Sequence, residues 1–301
     1  ALGAELSARW QGQHAPTIDT VPANLDPDQV WAMFEAYRRQ TGLYQAVPQG
    51  ISAEDLTLVS LPDTSRGQLS PHLIVAGDPQ KGKTTAMRWN LRSILSTYQP
   101  GAAQVFLFDS QLGLLHERNV LDRAGLLGGY SGERNSHAPM LEQVKTLIER
   151  RQPRNVNEMT PEEMRNRSWW SGPEIFVVID PLSADLLGSG YGDGPVDMLA
   201  SIIKARNDLG LHVWVTTAAH SFMTQKEGVF LKALLETNCH VLLLSGTAQG
   251  NVFGSYAGGT QVRFESRRPG LGQLYYAEQP HHPVIQVPND AQWPEIPGEG
   301  R

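Results

Sequence analysis

The sequence predicts an α/β fold in which a mainly parallel central sheet is flanked by helices. Short continuous apolar runs at Leu73–Ala76, Val105–Phe108, Ile175–Ile179, Leu211–Thr216 and His240–Leu244 read as strands covered on both faces. Segments between them carry apolar residues at helical spacing, as in Met87, Leu91, Ile94 and Leu95. Strands alternating with helices join as parallel neighbours through right-handed crossovers.

Taken in chain order, residues 1–60 read as an N-terminal extension packing on the core, and residues 61–301 as the main domain. In the extension, Asp26 is an N-cap for a helix that places Val30, Trp31, Phe34 and Tyr37 on one packing face. Leu56–Leu61 reads as an edge strand, broken by Pro62–Gly67. Lys83–Thr97, Met140–Ile148, Met198–Leu209 and Lys232–Glu236 are predicted helical. The polar stretch Arg151–Gly172 reads as a surface excursion, and Leu274–Ala277 and Val284–Val287 close the chain.

Composition narrows the function. Of 301 residues, 40% are hydrophobic and 19% charged, the profile of a folded domain. A net charge of −6 argues against tight binding to a duplex phosphate backbone. Arg150, Arg151 and Arg154, and again Arg263, Arg267 and Arg268, form small basic groups that read as solvated faces. One cysteine, Cys239, excludes a disulfide scaffold and a cysteine-rich zinc site, and reads as a buried thiol. No apolar stretch approaches the roughly 20 residues that span a bilayer, and no signal peptide is visible, so a reducing aqueous compartment is expected. The start at Ala1, without methionine, reads as a piece of a longer chain.

The chemistry is carried by Gly77-Asp78-Pro79-Gln80-Lys81-Gly82-Lys83-Thr84, which fits the G-x-x-x-x-G-K-[ST] phosphate loop at every fixed position. Gly77 and Gly82 let the backbone turn so tightly that successive N–H groups face one concavity. The helix that starts there adds its positive end. Lys83 would bridge the β- and γ-phosphates and Thr84 would ligate magnesium, with Thr85 at the next position. An apolar strand before the loop and an amphipathic helix after it are the right setting for Mg-ATP on a RecA-like domain. Phe176–Ile179 ends in Asp180, placed to orient the magnesium through water, and Asp109 is the rival carboxylate at another strand end.

With these residues in view, the chain resembles the FtsK/SpoIIIE-type ATPase domains, most closely the tandem ATPase modules of EccC in type VII (ESX) secretion. The likeness rests on Leu73–Thr85, Phe176–Asp180, the run from Lys204 to Val213, and Val241–Gly246 through Phe253-Gly254 to Pro269–Gly272. It covers most of residues 60–288. It implies a cytoplasmic module, peripheral to the inner membrane within a membrane-anchored secretion complex. The implied partners are neighbouring ATPase modules and small helical-hairpin substrates that dock through a C-terminal signal, with no nucleic acid. By the same analogy the adenine pocket falls within Phe253–Gly272.

Departures from the family pattern shape the expected activity. The second carboxylate that orients the attacking water is replaced by Pro181, and the sensor glutamine by Ala218. The usual Gly-Arg-Gly is Gly270-Leu271-Gly272. The expectation is a module that binds Mg-ATP and hydrolyses it slowly or not at all, with Asp185 and Glu174 as weak substitutes for the missing base. Two alternatives stay open: a fully active motor completed in trans by a neighbour's arginine, and an interaction platform with a vestigial nucleotide site. The adjacent His281 and His282 would face opposite ways on a strand, which argues against a shared metal. His220 reads as a loop histidine. The tandem Trp169-Trp170 reads either as a contact surface or as packing of the excursion onto the domain.

Overall fold

The apolar runs do become the interior strands of one sheet. The computed structural model describes residues 20–62, 70–153, 159–189, 191–205, 208–253, 261–276 and 281–289. The first elements are α1 (Pro27–Thr41), β1 (Val47–Ser52), β2 (Leu58–Leu61), β3 (Leu73–Gly77) and α2 (Lys83–Thr97). Next come β4 (Ala103–Phe108), α3 (Leu115–Arg123), β5 (Leu127–Ser131), α4 (Arg134–Glu149), α5 (Pro161–Asn166) and β6 (Glu174–Ile179). Then follow α6 (Ala184–Leu187), a 3-10 turn at Pro195–Leu199, α7 (Ala200–Ala205), β7 (Leu211–Ala218) and α8 (Ala219–Gln225). The last are α9 (Val229–Glu236), β8 (His240–Leu244), β9 (Leu271–Tyr275) and β10 (Val284–Gln286).

The sheet has ten strands in the order β2-β1-β10-β9-β8-β3-β7-β6-β4-β5. From β8 to β5 every pairing is parallel. The other end is an antiparallel extension, so β1 and β2, from before residue 61, belong to the same sheet as the phosphate-loop strand. Period-2 alternation sorts the strand residues to two faces. Ile74, Ala76, Val177, Ile179, Val213 and Val215 pack on one core, under α4, α7 and α9. Leu73, Val75, Phe176, Val178 and Trp214 pack on the other, with Met87, Leu91 and Ile94 of α2.

Asp26 caps α1 as expected, accepting from the Asp28 N–H at 3.0 Å, and Val30 and Phe34 are fully buried. The helix predicted at Met198–Leu209 is instead the 3-10 turn followed by the shorter α7, with Arg206 and Asn207 outside the described residues. Arg151 is not on a solvated face. It is 7% exposed and donates to the carbonyls of Leu209 (2.9 Å) and Pro173 (2.5 Å). Arg154, most of the Pro62–Gly67 breaker, Gly254 and Ala277 lie outside the described residues. The tandem tryptophans fold back: Trp169 donates to the Arg151 carbonyl and Trp170 to the Asp208 carbonyl. The Trp170 ring has the guanidinium groups of Arg151 and Arg167 over it, 4.2 and 4.7 Å from its centroid.

Candidate nucleotide-binding site

Where β3 runs into α2, the sequence leaves the chain no bulky route. A Cβ on Gly77 would come within 2.9 Å of the Leu244 Cβ, and one on Gly82 within 3.2 Å of the Gly270 nitrogen. Gly82, at φ +98°, and Gln80, at φ 61°, take left-handed backbone, and α2 opens on Gly82 without a side-chain cap. Among the described residues, the N–H groups of Gln80 to Thr84 donate to no backbone acceptor. A glycine-built concavity with free N–H groups at a helix start fits the phosphates of a nucleotide.

The polar side chains converge there. The Lys83 ammonium donates to the Asp78 carbonyl at 2.8 Å. Burial lowers its pKa, and the carboxylates of Asp180 and Asp78 oppose that shift. Asp180, 3% exposed at the end of β6, accepts hydrogen bonds from the hydroxyls of Thr216 and Thr84. Burial pushes its carboxyl pKa up, the Thr216 and Thr84 bonds pull it down, and Asp109 adds to the rise. The predicted set Lys83, Thr84 and Asp180 is therefore one cluster, with a carboxylate whose high affinity for positive charge suits a divalent ion.

Asp109 is fully buried and its acceptors are engaged locally. It receives the N–H groups of Gly113 (2.8 Å) and Leu114 (2.9 Å) and the Tyr130 hydroxyl (3.2 Å). Burial, and then Asp109, push the Tyr130 hydroxyl pKa up to about 12. Asp109 thus shapes the loop beside Thr84 and colours the field at Asp180.

The two substitute bases part company. Glu174 opens β6, at the far end of the strand from Asp180, so it cannot reach the phosphate loop. It pairs with Arg167 at 2.7 Å and His212 at 3.0 Å. Burial raises its carboxyl pKa, but His212 and Arg167 outweigh that and hold it below the ordinary value. Asp185, in the first turn of α6, faces Arg134 at 3.6 Å. Ala218 ends β7 beside Gly77, with a methyl group where the expected sensor carries an amide.

Other singled-out residues have other partners. His220 is exposed but lies on the helix α8 and not in a loop, His281 faces Glu54 at 3.4 Å, and the His282 ring packs tilted against Tyr275 with centroids 4.8 Å apart. Cys239 is buried, and burial pushes its thiol pKa far up. Thr216, Thr247 and Tyr130 were not singled out in the sequence. Nothing in their local pattern marks them, because each is brought to its carboxylate partner by strand pairing.

Among known proteins, the chain is similar to ESX secretion system proteins. The ESX-4 secretion system protein EccC4 of Mycobacterium tuberculosis is 30% identical over 254 residues, 84% of this chain. The ESX secretion system protein EccC of Thermomonospora curvata is 29% identical over 206 residues, 68% of this chain. This chain is a homologue of the EccC secretion ATPases. It spans 19% and 14% of the length of those two relatives, so it corresponds to a fraction of an EccC chain. The solved cytoplasmic domain of the T. curvata type VII secretion ATPase EccC superposes with a TM-score of 0.76 at 24% identity, over 94% of this chain and 30% of that one. A second T. curvata EccC structure, of ATPases 2 and 3 in complex with a signal sequence peptide, gives 0.76 at 23% identity, over 94% and 46%. At that identity the structural likeness to EccC concerns the fold. No family model matches the sequence. Among the described residues, no helix is long and apolar enough to cross a membrane.

Proposed function

We propose that this chain is a Mg-ATP-binding module of a type VII secretion ATPase in which hydrolysis is slow or absent. The observation that carries the reading is the convergence of Lys83, Thr84 and Asp180 on the glycine-built loop Gly77–Thr84. When bound, Mg-ATP supplies a divalent charge and a phosphoanhydride bond. Backbone N–H groups from Gln80 to Thr85 would hold the phosphates, and the Lys83 ammonium would reach them with the donors that the Asp78 carbonyl leaves free. The Thr84 hydroxyl would ligate the ion, and Asp180 would orient its water shell.

In this reading Pro181, in the place of the family's second carboxylate, leaves the site without a positioned base, and the substitute Asp185 faces Arg134 instead. Pro181 follows Asp180, and Glu174 sits at the wrong end of β6. Loss of a positioned base commonly costs about 10²–10⁴ in rate. The bound nucleotide would then brace the module and its interfaces.

The wider setting follows from homology to the EccC ATPases. We place the module on the cytoplasmic side of a membrane-anchored secretion complex, beside other ATPase modules, where it takes part in motor assembly and substrate recognition. A T. curvata EccC solved with a signal sequence peptide supports a role in recognising substrates by their signals.

Calorimetric titration of nucleotide-stripped protein with Mg-ATP, with a hydrolysis assay on the same sample, tests the proposal. Tight binding with negligible turnover is the expected result. Turnover of about one per second, ordinary for a working phosphoryl-transfer enzyme, would overturn the slow-hydrolysis reading. Absence of binding would leave an interaction platform.

A further inference from the structure

One residue of the phosphate loop makes four hydrogen bonds, to three other residues. The Asp78 N–H donates to the Ser245 carbonyl at 2.9 Å, and the Asp78 carbonyl accepts from Lys83 at 2.8 Å. Its carboxylate Oδ2 accepts from both the N–H and the hydroxyl of Thr247, each at 2.9 Å. Ser245 and Thr247 begin the connection that leaves β8.

The other end of that connection is fastened to the same loop. Gly270, just before β9, donates its N–H to the Lys81 carbonyl at 3.0 Å. The contact with Gly82 is close enough that a Cβ there would sit 3.3 Å from the Gly270 Cα. Between the two anchors the described residues are cross-braced. Gly246 donates to the Glu265 carbonyl (3.0 Å), Val252 to the Val262 carbonyl (2.7 Å), and Arg267 to the Ser245 hydroxyl (2.9 Å). The Lys226 ammonium, at the end of α8, holds the carbonyls of Asn251 (2.5 Å) and Val252 (3.1 Å).

We infer that Asp78 acts with Thr247 as a clasp that couples the phosphate loop to residues 245–253 and 261–270, so that nucleotide occupancy is transmitted to that connection. The inference rests on the nucleotide-binding reading above and adds a destination for it. Its physical basis is the shared peptide. The Lys83 ammonium has three N–H donors and can hold phosphate and the Asp78 carbonyl together, so a bound phosphate draws on the residue that Thr247 holds. Filling the N–H concavity also immobilises Asp78 and Lys81, the two residues to which the connection is tied. Exposed hydrogen bonds of this kind open locally at low cost in a free loop, so a change in loop mobility registers at the anchors. On the described part of the connection Arg263 is exposed, Arg267 pairs with the exposed Glu265 at 2.7 Å, and Arg268 donates to Gln286 and to the Val21 carbonyl.

Hydrogen–deuterium exchange of the protein with and without saturating Mg-ATP tests this, with binding measured calorimetrically on each sample. In the wild type, amides in 246–253 and 261–270 are expected to exchange about tenfold more slowly with nucleotide. Thr247→Val deletes the hydroxyl bond to Asp78, and Thr247→Ser keeps it. The valine variant should still bind Mg-ATP but lose most of the exchange response, and the serine variant should recover it. Mg-ATP binding by the wild type without any change in these amides would overturn the coupling and leave the nucleotide site standing. A full response in Thr247→Val would overturn the Asp78–Thr247 route. Failure of the wild type to bind would remove the nucleotide reading, and the coupling with it.

Discussion

Thr216, on β7, donates its hydroxyl to the carboxylate of Asp180 at the end of the neighbouring strand β6. The bond supports a buried anion whose pKa burial has already raised above its ordinary value of 3.8. A proton on Asp180 competes with its proposed task of orienting magnesium. The magnesium-dependent part of nucleotide affinity should therefore weaken as pH falls, beginning above the ordinary carboxylate range. Thr216→Val removes a bond that lowers this pKa, so the loss should begin at higher pH still. At neutral pH the variant should bind Mg-ATP about tenfold more weakly, with binding of ATP in EDTA little changed. Calorimetric titrations with and without magnesium at several pH values would detect both effects. An unchanged pH profile in Thr216→Val would remove Thr216 from the site.

The Lys83 ammonium donates to the Asp78 carbonyl, and burial disfavours its charge. Removing it should leave the folded state essentially intact. Lys83→Ala is expected to unfold within a few degrees of the wild type without nucleotide. It should also lose the rise in thermal midpoint that Mg-ATP gives the parent through mass action. A retained midpoint shift would mean that the ligand is held elsewhere.

The strands carrying the site were legible because both of their faces are buried. Leu73–Ala76, Ile175–Ile179 and His240–Leu244 need only apolar residues, and the phosphate loop needs glycines at fixed places. β5 escaped notice for the opposite reason. Its Leu-Gly-Gly-Tyr-Ser sequence looks like a loop, yet Cβ atoms on Gly128 and Gly129 would meet Phe106 and the Met140 sulfur, each at 2.8 Å. Glu174 was misplaced because strand order and direction decide which end of β6 faces the nucleotide, and a residue count does not. Thr216 and Thr247 gain their partners only through pairing of β6 with β7 and of β3 with β8, which no local pattern encodes. Arg151 looked like surface charge because its carbonyl partners, Leu209 and Pro173, are distant in sequence.

Two buried histidines make stability depend on pH. Burial, and then the fields of His212 and His240, lower the pKa of His72 from 6.5 to about 3, while its Nδ1 accepts from the Val213 N–H at 3.1 Å. Burial, partly offset by the Ser70 backbone, lowers that of His240 from 6.5 to about 4. Both stay neutral in the native protein over a range in which the unfolded chain takes up protons. Their contribution is intact above pH 6.5 and is lost as pH falls, towards about 4 for His240 and about 3 for His72. The slope is up to about 1.4 kcal/mol per pH unit for each group. Urea unfolding should show a plateau near neutrality and a decline below it. His240→Phe should make that decline shallower, and it should not lower stability at neutral pH, since His240 has no well-formed hydrogen bond at either ring nitrogen. An equally steep decline in the variant would assign the acid sensitivity to other groups.

Arg151 ties the start of β6 to the start of β7, at the edge of the sheet opposite Gly77. Burial lowers its pKa from 12.5 to about 10, with Glu174 opposing that shift, and its guanidinium lies over Trp170. Arg151→Ala would leave two carbonyls without their donor and uncover one side of an indole, a loss of about 3 kcal/mol. Arg151→Lys keeps the charge, but one ammonium cannot span both carbonyls and stack as a planar group does, so it should restore less than half of the loss. Mg-ATP affinity should be unchanged in both, because the phosphate loop lies at the other end of the strands. Chemical unfolding followed by tryptophan fluorescence reads the stability, and calorimetry reads the affinity. An Arg151→Ala protein as stable as its parent would return this arginine to the solvated face that its sequence neighbourhood suggests.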